Sequence, residues 1–187
     1  MSSETGLETL IGQASAIGNE TNSTFGHLSS SQLNWKPGAD RWSIAQCFYH
    51  LVTTNQGYFP IFDQILQGQR KTSLLERVPV LPSMWGRLAV KSLDPNTKRK
   101  LKAPRNIQPS TSDIDGQILK DFIGQQNRIV EYMTGMKELN LDRIVVTSPI
   151  LAIMTYSLMD AFRIIVVHER RHFQQAKNVA SDKLFPH

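Results

Sequence analysis

Residues 155–180 read TYSLMDAFRIIVVHERRHFQQAKNVA, a stretch with no Gly or Pro whose apolar residues continue on both sides of His168-Glu169-Arg170-Arg171-His172. That pattern predicts a helix over about residues 155–180. A helix turns once in about 3.6 residues, so His168 and His172 share a face one turn apart. Two imidazoles placed in this way can bind one metal ion, before any other part of the chain is considered.

Three more helical stretches precede it, with little sign of a β-sheet. The first covers about residues 4–28, where Leu7, Leu10, Ile11, Ala14 and Ile17 recur at three- and four-residue spacing. A connection over 29–41 contains Asn34-Trp35-Lys36-Pro37-Gly38, with Trp35 expected over one end of the core. The second helix opens at Ser43-Ile44-Ala45-Gln46, the form of a capping box, with Trp42 in the preceding staple position. Its buried stripe, Ile44, Phe48, Leu51, Tyr58, Phe62 and Ile65, extends to about residue 69, and Pro60 is expected to kink it. The third starts at Ser112 or Asp113 and turns Ile118, Phe122, Ile129, Tyr132, Met133 and Met136 inward. Between the second and third helices, residues 71–109 hold five of the nine prolines, which predicts a long irregular insert with one short helical segment at 84–88. Inserts of this kind are usually surface structures or active-site covers. The expected fold class is all-α.

The 187 residues suit one domain, 1–187, able to bury a core without disulfides or a structural metal. Cys47 is the only cysteine, so no internal disulfide can form, and a reducing compartment fits best. The chain opens with no basic segment leading into an apolar run, and no stretch reaches the roughly 18 apolar residues of a membrane span. A cytoplasmic protein with no membrane partner is expected. The net charge of +5 comes from Lys98, Arg99, Lys100, Lys102 and Arg105, since the remaining 16 basic residues match the 16 acidic ones. This block carries no aromatics to stack on bases, which argues against a nucleic-acid partner.

His50 on the second predicted helix and the His168/His172 pair on the fourth form the one constellation able to carry chemistry; His27 and His187 stand apart. Three neutral imidazoles leave one position open on a tetrahedral ion, the arrangement of a catalytic site. Water or a thiol can fill it. A pair of helical histidines alone is as readily polar surface, but Ile164, Ile165 and Val167 surround this one with apolar neighbours. Burying such rings without a partner is costly. Because imidazoles ligate only when neutral, metal affinity is expected to fall below about pH 6.5.

The sequence resembles the DinB and YfiT-like superfamily of metal-dependent enzymes. The matching pieces are Leu33-Asn34-Trp35-Lys36-Pro37-Gly38, then Trp42-Ser43-Ile44-Ala45-Gln46 leading to His50, and His168-Glu169-Arg170-Arg171-His172-Phe173-Gln174-Gln175. The resemblance covers most of the chain. It implies an up-down-down-up four-helix bundle whose divalent metal, zinc or nickel, is held by His50, His168 and His172. It further implies a small-molecule substrate, activated water or a low-molecular-weight thiol, and chemistry of the hydrolase or S-transferase type. Homodimers are common among such proteins. The alternative is a non-catalytic metal-binding bundle with a role in stability, sensing or partner binding. The insert at 71–109 departs from the shorter linkers of simple members.

His168-Glu169-x-x-His172 also matches the signature of zinc metallopeptidases, in which the Glu is a general base. That reading lacks a downstream third ligand, since only His187 and Asp182 remain as candidates. Glu169 and Arg171 are the weak catalytic candidates, as base and as holder of an anionic group, although an exposed helical position is the plainer expectation for both. Cys47, one turn before His50, reads as a core residue that could face the pocket. Asp160 is expected in a surface salt bridge.

Overall fold

The computed structural model describes residues 3–70, 72–77, 81–93, 107–109 and 113–186. In chain order these form α1 (Ser3–Phe25), α2 (Ser30–Asn34), α3 (Ile44–Gln56), α4 (Phe59–Leu66), a 3-10 turn (Leu75–Arg77), α5 (Leu81–Leu93), α6 (Ile118–Gly135), strands β1 (Val145–Thr147) and β2 (Thr155–Ser157), and α7 (Leu158–Ala180). The fold is mostly helical. Its frame is set by α1 and α3, each of which packs against both α6 and α7.

Phenylalanines join these four helices. Phe25 on α1 meets Phe48 on α3 and Phe173 on α7 edge to face, each at 5.5 Å between ring centres, and Phe48 meets Phe122 on α6 at 5.0 Å. Offset and edge contacts suit the ring quadrupoles. Phe25, Phe48 and Phe122 are fully buried, and burial on this scale contributes about 1.5–3 kcal/mol per large apolar side chain. Trp35 closes one end of the core against Phe185, at 5.5 Å.

Local chemistry fixes where α3 starts. Ser43 Oγ accepts from the Gln46 amide at 3.1 Å, and Gln46 Oε1 accepts from the Ser43 amide at 3.2 Å, so the expected capping box is formed. The long second helix, in contrast, is two helices. The break falls at Gly57 and Tyr58, where Gly57 lies against Pro149 so closely that an added Cβ would stand 2.9 Å from the proline Cβ. Pro60 therefore sits in the first turn of α4, where its missing N–H leaves no bond unmade.

Three other expectations are corrected. The first helix ends at Phe25, and α2 follows as a separate turn with its own Ser29/Gln32 capping box. The fourth begins at Leu158, because Ser157 Oγ caps it by accepting from the Asp160 amide at 3.0 Å. The three residues before it are strand β2, which pairs antiparallel with β1 through Val145↔Ser157, Val146↔Tyr156 and Thr147↔Thr155. A small sheet is present after all. The start expected at Ser112 lies outside the described residues; Asp113 precedes α6, which begins at Ile118. The basic block 98–105 also lies outside them. No described helix is long and apolar enough to cross a membrane.

Within the insert, the helical segment is longer than expected, and α5 packs along α7 and β2. Gly86 makes the approach possible. A Cβ there would collide with the Asp160 carboxylate and stand 3.1 Å from Asp160 Cβ, while Asp160 is held by Arg163 Nη1 at 2.8 Å. Mid-helix Gly→Ala changes normally stabilise by roughly 1 kcal/mol. Here Gly86→Ala is expected to destabilise by roughly 1–3 kcal/mol through overpacking, and adding Asp160→Ala to it should recover most of the loss. Thermal melts of the two variants check this.

Candidate metal centre

His50 lies mid-way along α3 and is 2% exposed; His168 and His172 lie one turn apart on α7. Packing of α3 on α7 brings the three together across 118 positions of sequence. One ligating nitrogen from each ring lies within 4.8 Å of the others, and His50 Nε2 is 3.1 Å from His168 Nε2. A tetrahedral ion with nitrogen bonds of ~2.0–2.1 Å needs its nitrogens ~3.3 Å apart. The 3.1 Å pair lies close to that value and all three nitrogens fall within 4.8 Å, so the donor set fits a cation once the rings adjust.

The hydrogen bonds around the rings support the same fit. His50 Nδ1 donates to the carbonyl oxygen of Ile107 at 2.8 Å. A carbonyl only accepts, so the proton resides on Nδ1 and the Nε2 lone pair faces the cluster. Among the described residues, His172 Nδ1 is buried with no hydrogen-bond partner, while the ring as a whole is assisted by the side chain of Gln175. An unpaired buried ring nitrogen is costly, and a cation among the rings would supply the missing partner. Trp42 forms one wall, stacked on His172 at 5.6 Å and 19° and tilted against His50 at 5.0 Å.

Burial keeps all three imidazoles neutral. It pushes His168 down to about 3, with the charges of His50 and then Arg171 adding to the effect, although the residue keeps partial exposure. His172 is lowered well below its ordinary value by burial and then by His168, His50 and Arg171. His50 is lowered by burial, against a smaller opposing effect of its bond to Ile107. Protons therefore compete with a metal at lower pH than the 6.5 of a free imidazole.

Glu169 is not exposed. It is fully buried, and its Oε1 accepts from Asn55 Nδ2 on α3 at 2.9 Å and from Gln126 Nε2 on α6 at 2.8 Å. Its Oε2 has no partner among the described residues. Burial raises its pKa to about 7, and the two amide bonds only partly offset the rise. The carboxyl is directed into the core, bonded to the amides of two other helices.

The remaining candidates separate clearly. Cys47 is fully buried in the apolar core, and burial pushes its thiol far above the usual range. Arg171 Nη1 donates to the Ser92 carbonyl at the end of α5, at 3.2 Å. Asp160 pairs with Arg163, as expected. Beside them and outside the candidate set, Thr54 Oγ1 donates to the His50 carbonyl at 2.9 Å, and the core residue Tyr58 bonds Tyr156 hydroxyl to hydroxyl at 2.6 Å. Sequence reasoning missed Ile107, Asn55, Gln126 and the contact of Trp42 with the rings. Spacing held a signal for two of them: Leu51, Asn55 and Tyr58, and Phe122, Gln126 and Ile129, each follow one helical stripe.

Comparison with known families gives a match over most of the chain. Residues 13–176 match the DinB superfamily, and the chain belongs to it. The uncharacterized protein YuaE of Bacillus subtilis (strain 168) is 28% identical over 155 residues, covering 81% of this chain and 85% of that protein. No solved structure matches.

The pKa shifts act in opposite directions on stability. With folded imidazoles depressed, the unfolded chain takes up protons first as pH falls below about 6.5, so histidine burial destabilises the metal-free protein towards acid. Glu169 is raised, so as pH rises from 4.5 to about 7 the unfolded chain loses its proton first and stability falls. The Glu169→Gln variant should therefore gain relative to the parent protein between about pH 5 and pH 8, by on the order of 3 kcal/mol. Paired thermal melts across that range test it, and a constant difference would contradict the assignment.

Proposed function

We propose that this chain is a metal-dependent enzyme in which His50, His168 and His172 hold a divalent cation. The reading extends to a single-domain, up-down-down-up four-helix bundle, built on α1, α3, α6 and α7, that works in the cytoplasm. Its support is the convergence of three neutral imidazole nitrogens within 4.8 Å. Imidazole donors suit zinc or nickel. When bound, such an ion activates water or a low-molecular-weight thiol as a nucleophile near neutral pH, the chemistry of a hydrolase or an S-transferase.

The protein's own groups have definable parts in this. The Ile107 carbonyl holds the His50 proton on Nδ1, which leaves Nε2 free to ligate. Trp42 covers two of the rings and limits water around them. Arg171 places positive charge near His168 and His172, favouring a substrate with an anionic group. Glu169 acts as a structural group joined to Asn55 and Gln126.

Protein purified without a histidine tag should carry close to one equivalent of zinc or nickel by elemental analysis. His168→Ala or His172→Ala should weaken binding by well over the ~10–100-fold that loss of an outer-shell partner causes, while His27→Ala should leave it unchanged. Equal metal content in all three variants would overturn the ligand set. Turnover on a panel of thiol and ester substrates tests the enzymatic part; retained metal with no turnover would favour a role in stability or sensing.

A further inference from the structure

The long connection between α4 and α6 approaches the three histidines at described points on both its flanks. On one side, α5 packs along α7, with Gly86 seated on Asp160 and the Ser92 carbonyl accepting from Arg171, the residue beside His172. On the other, the Ile107 carbonyl accepts from His50 Nδ1 at 2.8 Å, and the Ile107 side chain is itself buried, at 9% exposure. Among the described residues, neither of the other two histidine rings is bonded to a backbone carbonyl, His172 having instead the side chain of Gln175. The group that fixes the orientation of one prospective ligand therefore comes from the connection and not from the helical frame.

We infer that Ile107 is part of the metal centre: its carbonyl positions His50 for ligation, so that metal loading and the docking of Ile107 stabilise each other. The inference rests on the metal-binding reading above. A ring ligand whose non-ligating N–H is held by a fixed acceptor is oriented and made more basic, and loss of such a partner typically weakens metal binding 10–100-fold. Undocking would also leave a buried N–H unsatisfied or let the ring change tautomer. Coupling between two binding events is reciprocal, so a cation that favours the oriented ring must favour the docked Ile107 by the same factor.

Hydrogen exchange followed by mass spectrometry on the full chain, with and without saturating zinc, reads one side of the coupling. Zinc competition against a chromophoric chelator reads the other. Zinc should slow exchange at least about 10-fold in peptides covering 84–93 and 107–109. Ile107→Asp, which drives the buried side chain out, should lower zinc affinity about 10-fold or more with all three histidines intact; Ile107→Ala gives the same direction if the charged variant fails to fold. Unchanged exchange in zinc-loaded parent protein, or undiminished affinity in the Ile107 variants, would overturn the coupling while leaving the ligand set standing. Failure of the parent protein to take up zinc or nickel would remove both readings together.

Discussion

Three neutral imidazoles crowded into one interior site impose a demand that the rest of the molecule must meet. Nitrogens 3.1 Å apart can share a proton, but three rings cannot all satisfy one another, and His172 Nδ1 is left with no partner among the described residues. Only a rigid frame keeps such groups from turning away to solvent. The packing of α3 on α7, backed by α1 and α6, supplies that frame.

The stability of the frame is apolar in origin. Fully buried aromatics link the main helices, whereas the ion pairs Arg170–Glu20 and Arg128–Asp63 are partly exposed and worth little singly. Against this background the Glu169, Asn55 and Gln126 cluster stands out, because one polar side chain from each of α7, α3 and α6 meets at a single buried point. A one-residue slip of any of these helices would separate the three. The cluster therefore ties the register that brings the histidines together to a hydrogen-bonded requirement as well as a hydrophobic one.

Much of this was legible in the residues themselves. The capping box at Ser43, the 3.6-residue stripes and the spacing of His168 and His172 are local signals, and each is realised locally. What was not legible depends on contacts made at long range. The helix break at Gly57 answers to Pro149, which arrives from another part of the chain. Thr155–Ser157 reads as helix because its apolar pattern continues into α7, yet it is drawn into a strand by Val145–Thr147. Glu169 reads as exposed in the sequence because periodicity cannot announce that two amides wait on neighbouring helices. The Ile107 contribution was hidden for a simpler reason: a backbone carbonyl carries no residue-type signature.

Trp42 lies flat on His172 and beside His50, while Trp35 packs edge to face on Phe185. Indole emission responds to what its ring touches, and an ion drawing electron density from those imidazoles changes that contact. Of the three indoles of the chain, Trp42 is thus the one placed to report on the proposed site, as a change in ultraviolet emission if an ion enters it.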